Sequence, residues 1–374
     1  MRHTTITLKA SALQKNLNTI RQNAPTAKVM AMVKANAYGH GIAWALQGLL
    51  EADAYGVASF GEGVQVFDIL SKINCQKLSV KPIVLIEGVF SQSEWLQALD
   101  YNFSCVVHCQ NQLDWALANV PKNVSFSRTI WLKYNTGMNR LGFGKNDVLA
   151  SAKLLMDKGY NIILTSHFAC ADDRENLANG LQIERFNEVL GALKAMHADK
   201  IQGSLCNSAG IFNFPSVHYD WVRAGIALYG GMAVADKTPN QLGLRPVMTF
   251  TTHIFAIHEL NVGEQVGYGG LWMADKPSRI GVLSVGYGDG YPRVVQNAHV
   301  FITKNSQQFL IPVVGRVAMD MMMIDITDVP VGVGDEVVLW GEGLPAYQVA
   351  NWANTIDYEL FCKTTARPLR QLAM

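Results

Sequence analysis

At 374 residues, with 49% of them hydrophobic, the chain is long enough to bury a large core and, at about 150 residues per domain, reads as two domains. Lysine plus arginine number 31 against 30 acidic residues, a formal net charge of +1, and no basic block tracks a phosphate backbone, which argues against a nucleic-acid partner. The opening "MRHTTITLKA" has no apolar core of signal-peptide length, and no segment approaches the ~20 apolar residues of a membrane span, so a cytoplasmic protein without a membrane partner is expected.

From about residue 29 to residue 230, short apolar or β-branched runs alternate with helix-period segments. The runs are "KVMAMVK", "AYGVASF", "KPIVLIEGV", "FSCVVHC", "SRTIWLKY", "NIILTSHF", "IQGSLCN" and "YDWVRAGIALYG". Between them lie segments with helical spacing of apolar residues, among them "IAWALQGLL", "EWLQALD", "LDWALA", "DVLASAKLLM" and "IERFNEVLGALKAM". Eight strands alternating with helices predict an α/β protein built on a (β/α)8 TIM-type barrel over residues 10–240, with a doubly wound open sheet as the alternative. Beyond Leu242 the helical period fades. "VMTFTTHIFAI", "RIGVLSVGYG", "FLIPVVGRVAMDMMMIDI" and "DEVVLWG" predict a mainly β domain over 241–374, which residues 1–9 are free to join, and "AYQVANWANTI" predicts a late helix.

The six cysteines, Cys75, Cys105, Cys109, Cys170, Cys206 and Cys362, form no CxxC pair, and the nine histidines form no HExxH. They read as reduced thiols and dispersed side chains, so no protein-ligated metal is expected.

Active sites of such barrels lie at the C-terminal ends of the strands. Taken in order, those ends carry Lys34 with Tyr38 beyond it, Lys133, His167, Asn207 with Ser208, and Arg223 running into Gly225 and Ile226. These polar and titratable groups converge on one mouth. "CNSAG" and "RAGI" supply a serine, glycines and exposed amides after strands 7 and 8, where these barrels commonly seat phosphate. A lysine beside a phosphate site suggests covalent attachment of pyridoxal 5'-phosphate, because desolvation makes an amine nucleophilic. Read alone, Lys34 is equally a solvated strand-end lysine.

Nine motifs in order, "VKANAYGHG", "KYNTGMNRLGFG", "SHFACADD", "CNSAG", "VRAGIALYGG", "VGYGG", "GYGDGYPR", "GRVAMD" and "TIDYE", resemble those of bacterial alanine racemase. The resemblance implies that Lys34 carries pyridoxal phosphate and is one of two proton-transferring bases, with Tyr268 the other. A tyrosine needs nearby positive charge to lower its usual pKa near 10 for that work. Tyr38, Asn207, Ser208, Gly225, Ile226 and Tyr358 match cofactor-binding positions, most of them at the phosphate. His167 matches a position beside the cofactor ring. Arg223 matches an arginine against the pyridine nitrogen, which, unlike a carboxylic acid, does not give up a proton there. Arg140, Tyr287, Met319 and Asp320 match the substrate entrance and carboxylate site, Met319 through its backbone N–H, and Lys133 matches a lysine often carbamylated.

Some positions depart from the family's pattern: Asn135 where Asp is usual, Ala224 for a common Pro, Cys206 for a smaller residue, and an atypical "GEGVQVFD". Each removes no catalytic group, yet they touch substrate preference and the state of Lys133. Two same-fold alternatives stand beside the leading reading. A decarboxylase or a racemase of broader substrate range is one, although Arg223 and Tyr268 speak against a decarboxylase; a non-catalytic cofactor-binding barrel, lacking the β-rich domain, is the other. Because Lys34 lies in the barrel and Tyr268 in the β domain, and both must reach one Cα, a homodimer with shared sites acting on a small amino acid is expected.

Overall fold

A computed structural model describes residues 3–73, 81–122 and 125–373; Cys75 lies outside them. The chain opens with strand β1 (Thr5–Lys9) and helix α1 (Ala10–Asn23). Barrel strands follow as β2 (Lys28–Met32), β3 (Ala54–Val57), β4 (Ile83–Leu85), β5 (Ser104–Val107), β6 (Thr129–Lys133), β7 (Asn161–Thr165), β8 (Ile201–Ser204) and β9 (Trp221–Ala224). All are parallel and pair in sequence order from β2 to β8, while β9 returns beside β2 with Met30 opposite Arg223. That return closes the ring, which discards the open-sheet alternative.

The seam between β8 and β9 is closed without a regular ladder among the described residues. Asp220 N–H donates to Gly203 C=O and Arg223 N–H to Cys206 C=O, while the Asp220 carboxylate accepts from Gly203 N–H and Ser204 Oγ donates to Trp221 C=O. Strands buried on both faces read as continuous apolar runs, and Ala54–Val57 and Ile83–Leu85 are buried throughout. Where the period of two matters, it sends Trp131 with Lys133 and Trp221 with Arg223 to the inner face.

Around the barrel lie α2 (Lys34–Tyr38), a single turn discussed below, then α3 (Ile42–Gly48), α4 (Phe60–Ile73), α5 (Gln92–Asp100), α6 (Gln110–Ala118), α7 (Lys145–Asp157), α8 (Leu177–His197) and α9 (Ser208–Asn213). Helix α1 buries Leu13, Asn16, Leu17 and Ile20 on one stripe. Asn16 on that stripe is fully partnered, its amide donating to Leu228 and Arg245 carbonyls and its carbonyl accepting from Arg245 N–H, which fixes the helix to the chain leaving the barrel.

The remaining strands are β10 (Met248–Leu260), a short hairpin β11 (Gln265–Val266) and β12 (Trp272–Met273), then β13 (Ser278–Leu283), β14 (His299–Lys304), β15 (Gln307–Val314), β16 (Met322–Asp325) and β17 (Glu336–Trp340). The run expected from Phe309 to Ile326 is cut in two at Gly315, where φ is +68°. Strand β10 shifts register between Ile254 and Ala256, so its first half pairs with β17 and its second with β13, closing a second, antiparallel ring. After α10 (Ala346–Trp352) and α11 (Asp357–Lys363), the last strand, β18 (Leu369–Ala373), runs parallel to β1, which itself pairs with β10. No helix among the described residues is long and apolar enough to cross a membrane.

Candidate active site at the mouth of the barrel

Strand β2 ends at Met32, two residues before Lys34. The four residues after the lysine then wind left-handed: φ is 51° at Ala35, 53° at Asn36, 54° at Ala37 and 52° at Tyr38. Each such non-glycine residue costs roughly 1–2 kcal/mol, so the turn exists only because its surroundings hold it. Ala37 N–H bonds Val33 C=O and Gly41 N–H bonds Asn36 C=O, while Asn36 Oδ1 accepts from Ile42 N–H. The Glu62 carboxylate accepts from Ala35 N–H at 2.7 Å and from Ala58 N–H at 2.8 Å. Beneath the turn, Tyr229 Oη donates to Met32 C=O.

A cavity of about 620 Å³ opens at the C-terminal ends of the strands. Lys34, Tyr38, Lys133, Arg140, His167, Asn207, Ser208, Arg223, Gly225, Ile226 and Tyr358 all line it. Arg223 is 8% exposed and held mainly by oxygen acceptors. Its Nη1 donates to Thr165 Oγ1, Ser204 C=O and Ser204 Oγ, and its Nη2 to the Ser166 and Leu205 carbonyls, with His167 Nδ1 3.5 Å away. The amide of Gly225, expected to be open, donates to Ser208 Oγ at 2.9 Å, as does that of Ala227 at 3.3 Å. That leaves the serine hydroxyl's own proton for an acceptor in the cavity. Gly225 is required by close approach, since a Cβ there would lie 2.5 Å from Tyr38 Oη. Asn207 caps α9 through Oδ1 to Gly210 N–H.

The electrostatics are those of a cationic pocket. Burial, then Arg223, Arg140 and Lys34, hold the Lys133 amine well below its usual range. Burial and the same cations, joined by Lys133, push His167 well below an ordinary histidine. Burial pushes Arg223 down to about 10, which still leaves it protonated at neutral pH. Burial raises the phenols of Tyr38 and Tyr358, keeping both as neutral donors. Glu87 also lines the cavity.

Tyr268, Tyr287, Met319 and Asp320 do not line this cavity. Tyr268 is 72% exposed on a turn made by Gly267, Gly269 and Gly270, all at positive φ, and Met319 is 53% exposed. Asp320 is ion-paired to Arg367 at 2.6 Å, and Arg367 also reaches the buried Asp289, which accepts from Gly286 N–H. Gly288 N–H donates to Met319 C=O, so the "GYGDG" and "VAMD" loops form one surface.

Sequence reasoning missed four contributors. Glu62 sits inside the atypical "GEGVQVFD", and its helical spacing toward Ala35 is invisible without the fold. Thr165 and Ser204, which hold Arg223, precede the strand ends that drew attention. Arg370, which donates to Gly39 C=O, comes from the far end of the chain. At the departure from "D-TGM", Asn135 Oδ1 accepts from the Gly137 and Asn139 amides as an aspartate could.

Residues 8–233 match the family model described as alanine racemase, N-terminal domain, and residues 247–372 match alanine racemase, C-terminal domain. The chain is 46% identical over 381 aligned residues to an alanine racemase of Psychrobacter sp. (strain PRwf-1), covering 100% of both. Among solved structures it is similar to alanine racemase from Acinetobacter baumannii, with a TM-score of 0.92 at 40% identity and 100% of both chains covered. It is also similar to alanine racemase from Bartonella henselae with covalently bound pyridoxal phosphate, with a TM-score of 0.85 at 27% identity and 100% of both covered. With both domain models matched in order and full-length similarity on this scale, the chain belongs to the alanine racemase family of pyridoxal phosphate-dependent isomerases.

Proposed function

We propose that this chain interconverts L- and D-alanine, supplying D-alanine for peptidoglycan or serving its catabolism, with Lys34 and Tyr268 as the two bases. The observation that carries the reading is one cavity holding Lys34, an arginine with no carboxylate partner among the described residues, and a cradle of Ser208, Gly225 and Tyr38 that a single Cβ would fill. Such a cradle, in a pocket with Lys133, Arg140 and Arg223, fits an anionic, ring-bearing group. When bound there, pyridoxal phosphate supplies the electrophile that holds an amino acid and withdraws charge from its Cα.

The chain's own residues do the rest. Lys34 holds the cofactor and moves a proton on one face of Cα. Tyr268 does so on the opposite face, and inversion requires both. Ser208, Tyr38, Tyr358 and the chain at Asn207, Gly225 and Ile226 hold the phosphate. Arg223, locked to three carbonyls and two hydroxyls, would keep its proton where it meets the cofactor's ring, and so would favour return of the proton to Cα. His167, which lines the same cavity, would help hold that ring. Lys133, whose amine is held well below its usual range by burial and the neighbouring cations, adds carbon dioxide with loss of a proton to give a carbamate anion between Arg140 and Arg223. Arg140, Tyr287, Asp320 and Met319 N–H receive the substrate carboxylate.

In a single chain Tyr268 faces solvent, as do Leu271 and Met273 near it in sequence and Met319 and Met321 farther along the chain. A two-fold homodimer, in which this surface of one subunit caps the barrel mouth of the other, completes the site. The test is direct. The purified protein should be yellow and racemise alanine, and Lys34→Ala should lose both activity and borohydride-fixable cofactor. A colourless wild type, or a Lys34→Ala chain that still fixes cofactor, defeats the reading.

A further inference from the structure

Between the two glycines that follow Tyr38 stands a histidine the mechanism does not use. His40 is 1% exposed, its ring packed 4.6 Å from that of Tyr229 and edge-on to Phe361 at 5.1 Å. Its Nδ1 lies 2.9 Å from Tyr38 C=O and 3.2 Å from Ala37 C=O. Both are acceptors, which assigns the proton to Nδ1 and leaves the ring neutral, with Nε2 buried and without a hydrogen-bond partner among the described residues. Burial holds the ring at about 4, so it stays neutral at working pH.

Of the turn's carbonyls, those of Tyr38 and Gly39 are taken by side chains, while that of Ala37 is shared between the His40 ring and the His40 main-chain N–H at 3.0 Å. That of Tyr38 goes to His40, and that of Gly39 goes to Arg370 Nη1 at 2.8 Å. The fit leaves no slack, since a Cβ on Gly39 would sit 1.9 Å from Phe361 C=O. With Glu62 on the Ala35 amide, the strained segment is braced at both ends.

We propose that His40 is a positioning residue, whose Nδ1–H fixes the left-handed turn so that Lys34 and the Tyr38 phenol are presented together to the cavity. The inference rests on the reading of Lys34 as the cofactor lysine. It separates two roles for a buried histidine: filler between aromatic rings, or donor to two particular carbonyls.

The experiment compares His40→Asn, whose amide nitrogen can stand at the Nδ1 position, with His40→Gln, whose amide reaches past it. Both are measured as holoenzymes for the dissociation constant of pyridoxal phosphate, by cofactor fluorescence, and for kcat and KM with alanine. Losing a buried donor to two carbonyls should weaken cofactor binding and lower kcat about tenfold each in His40→Gln, with KM within about twofold. His40→Asn should recover both to within about threefold. Wild-type values in His40→Gln, or equal losses in both variants, would overturn the proposal. If His40→Gln does not fold, Arg370→Met, which frees the neighbouring carbonyl, should show the same pattern of lowered kcat and cofactor affinity, and unchanged affinity there overturns it equally. Lys34→Ala run in parallel keeps the two readings apart, because covalent cofactor surviving in that variant overturns the lysine assignment on which the inference rests, whereas the comparison of His40→Asn with His40→Gln bears on His40 itself.

Discussion

Gly225→Ala places one methyl group where the cradle has no room for it. The added Cβ would lie 2.5 Å from Tyr38 Oη and 3.2 Å from its Cζ, and ordinary contact begins at 3.4 Å, so the phenol tip must withdraw by about 0.9 Å. It has little freedom to do so otherwise. The ring stacks on Tyr229 at 4.9 Å, lies 6.0 Å from Tyr358, and hangs from backbone fixed at φ 52°. A withdrawal of that size takes an ordinary hydrogen bond out of range. Losing one hydrogen bond to a charged group costs about 1.5–3 kcal/mol, or roughly ten- to 150-fold in affinity. The assay is titration of the stripped protein with pyridoxal phosphate and, separately, with pyridoxal, which has no phosphate. Gly225→Ala should lose at least tenfold for the first and little for the second, with a thermal midpoint only a few degrees lower because the clash is with a side-chain tip. Unchanged affinity for pyridoxal phosphate, or equal losses for both compounds, would refute the assignment of this cradle to the phosphate.

Co-refolding Lys34→Ala and Tyr268→Phe chains in equal amounts should restore roughly a quarter of the sites, since half of randomly paired dimers are mixed and each holds one intact site. Mixed dimers that stay inactive would mean that the site is built within one chain. Arg223→Glu should raise the pyruvate formed per racemisation, and it should also melt lower because the Ser166, Ser204 and Leu205 carbonyls lose their donor. An unchanged pyruvate ratio would remove Arg223 from the ring nitrogen. Burial raises the Asp357 carboxyl from 3.8 to about 6, so between those values the folded chain holds more protons than the unfolded one and stability falls as pH rises, levelling off above about 6. Asp357→Asn should flatten that slope in denaturant titrations, and a slope left unchanged would refute its assignment to Asp357.

The barrel was legible because each of its strands is a short, two-side-buried run punctuated by polar ends, and all eight runs contain one. Helix α4 was not, because "GEGVQVFD" carries two glycines and a mixed apolar pattern whose stripe is resolved only against Phe103 and Leu85. Helix α1 was overlooked since its buried face includes Asn16, a polar residue that belongs there only once its hydrogen bonds to the distant Leu228 and Arg245 are known. The strand-end rule reached Lys34, Lys133, His167, Ser208 and Arg223 because it needs sequence alone. The left-handed turn after Lys34 could not be read that way: "ANAY" has no intrinsic preference for it, and the side chains that impose it, Glu62, His40 and Arg370, come from three different parts of the chain. Tyr268 and Met319 entered the reading only through motif likeness, since nothing in their local pattern points toward a barrel mouth.

The seam between β8 and β9 gives Arg223 a second aspect. From β9 its guanidinium crosses that gap to Ser204 and Leu205 and continues to Thr165 and Ser166 at the end of β7, so the group facing the cavity also clasps the ring where regular pairing is missing among the described residues. Rings open first where they are least laddered. Amide exchange at Gly203, Asp220 and Arg223 should therefore report on what lies in the cavity, slow when a ligand rests against the clasp and faster when the site is stripped. An arginine chosen for its chemistry would then also be a fastener, and a lineage that exchanged it for an acid would have to lace the barrel shut by some other thread.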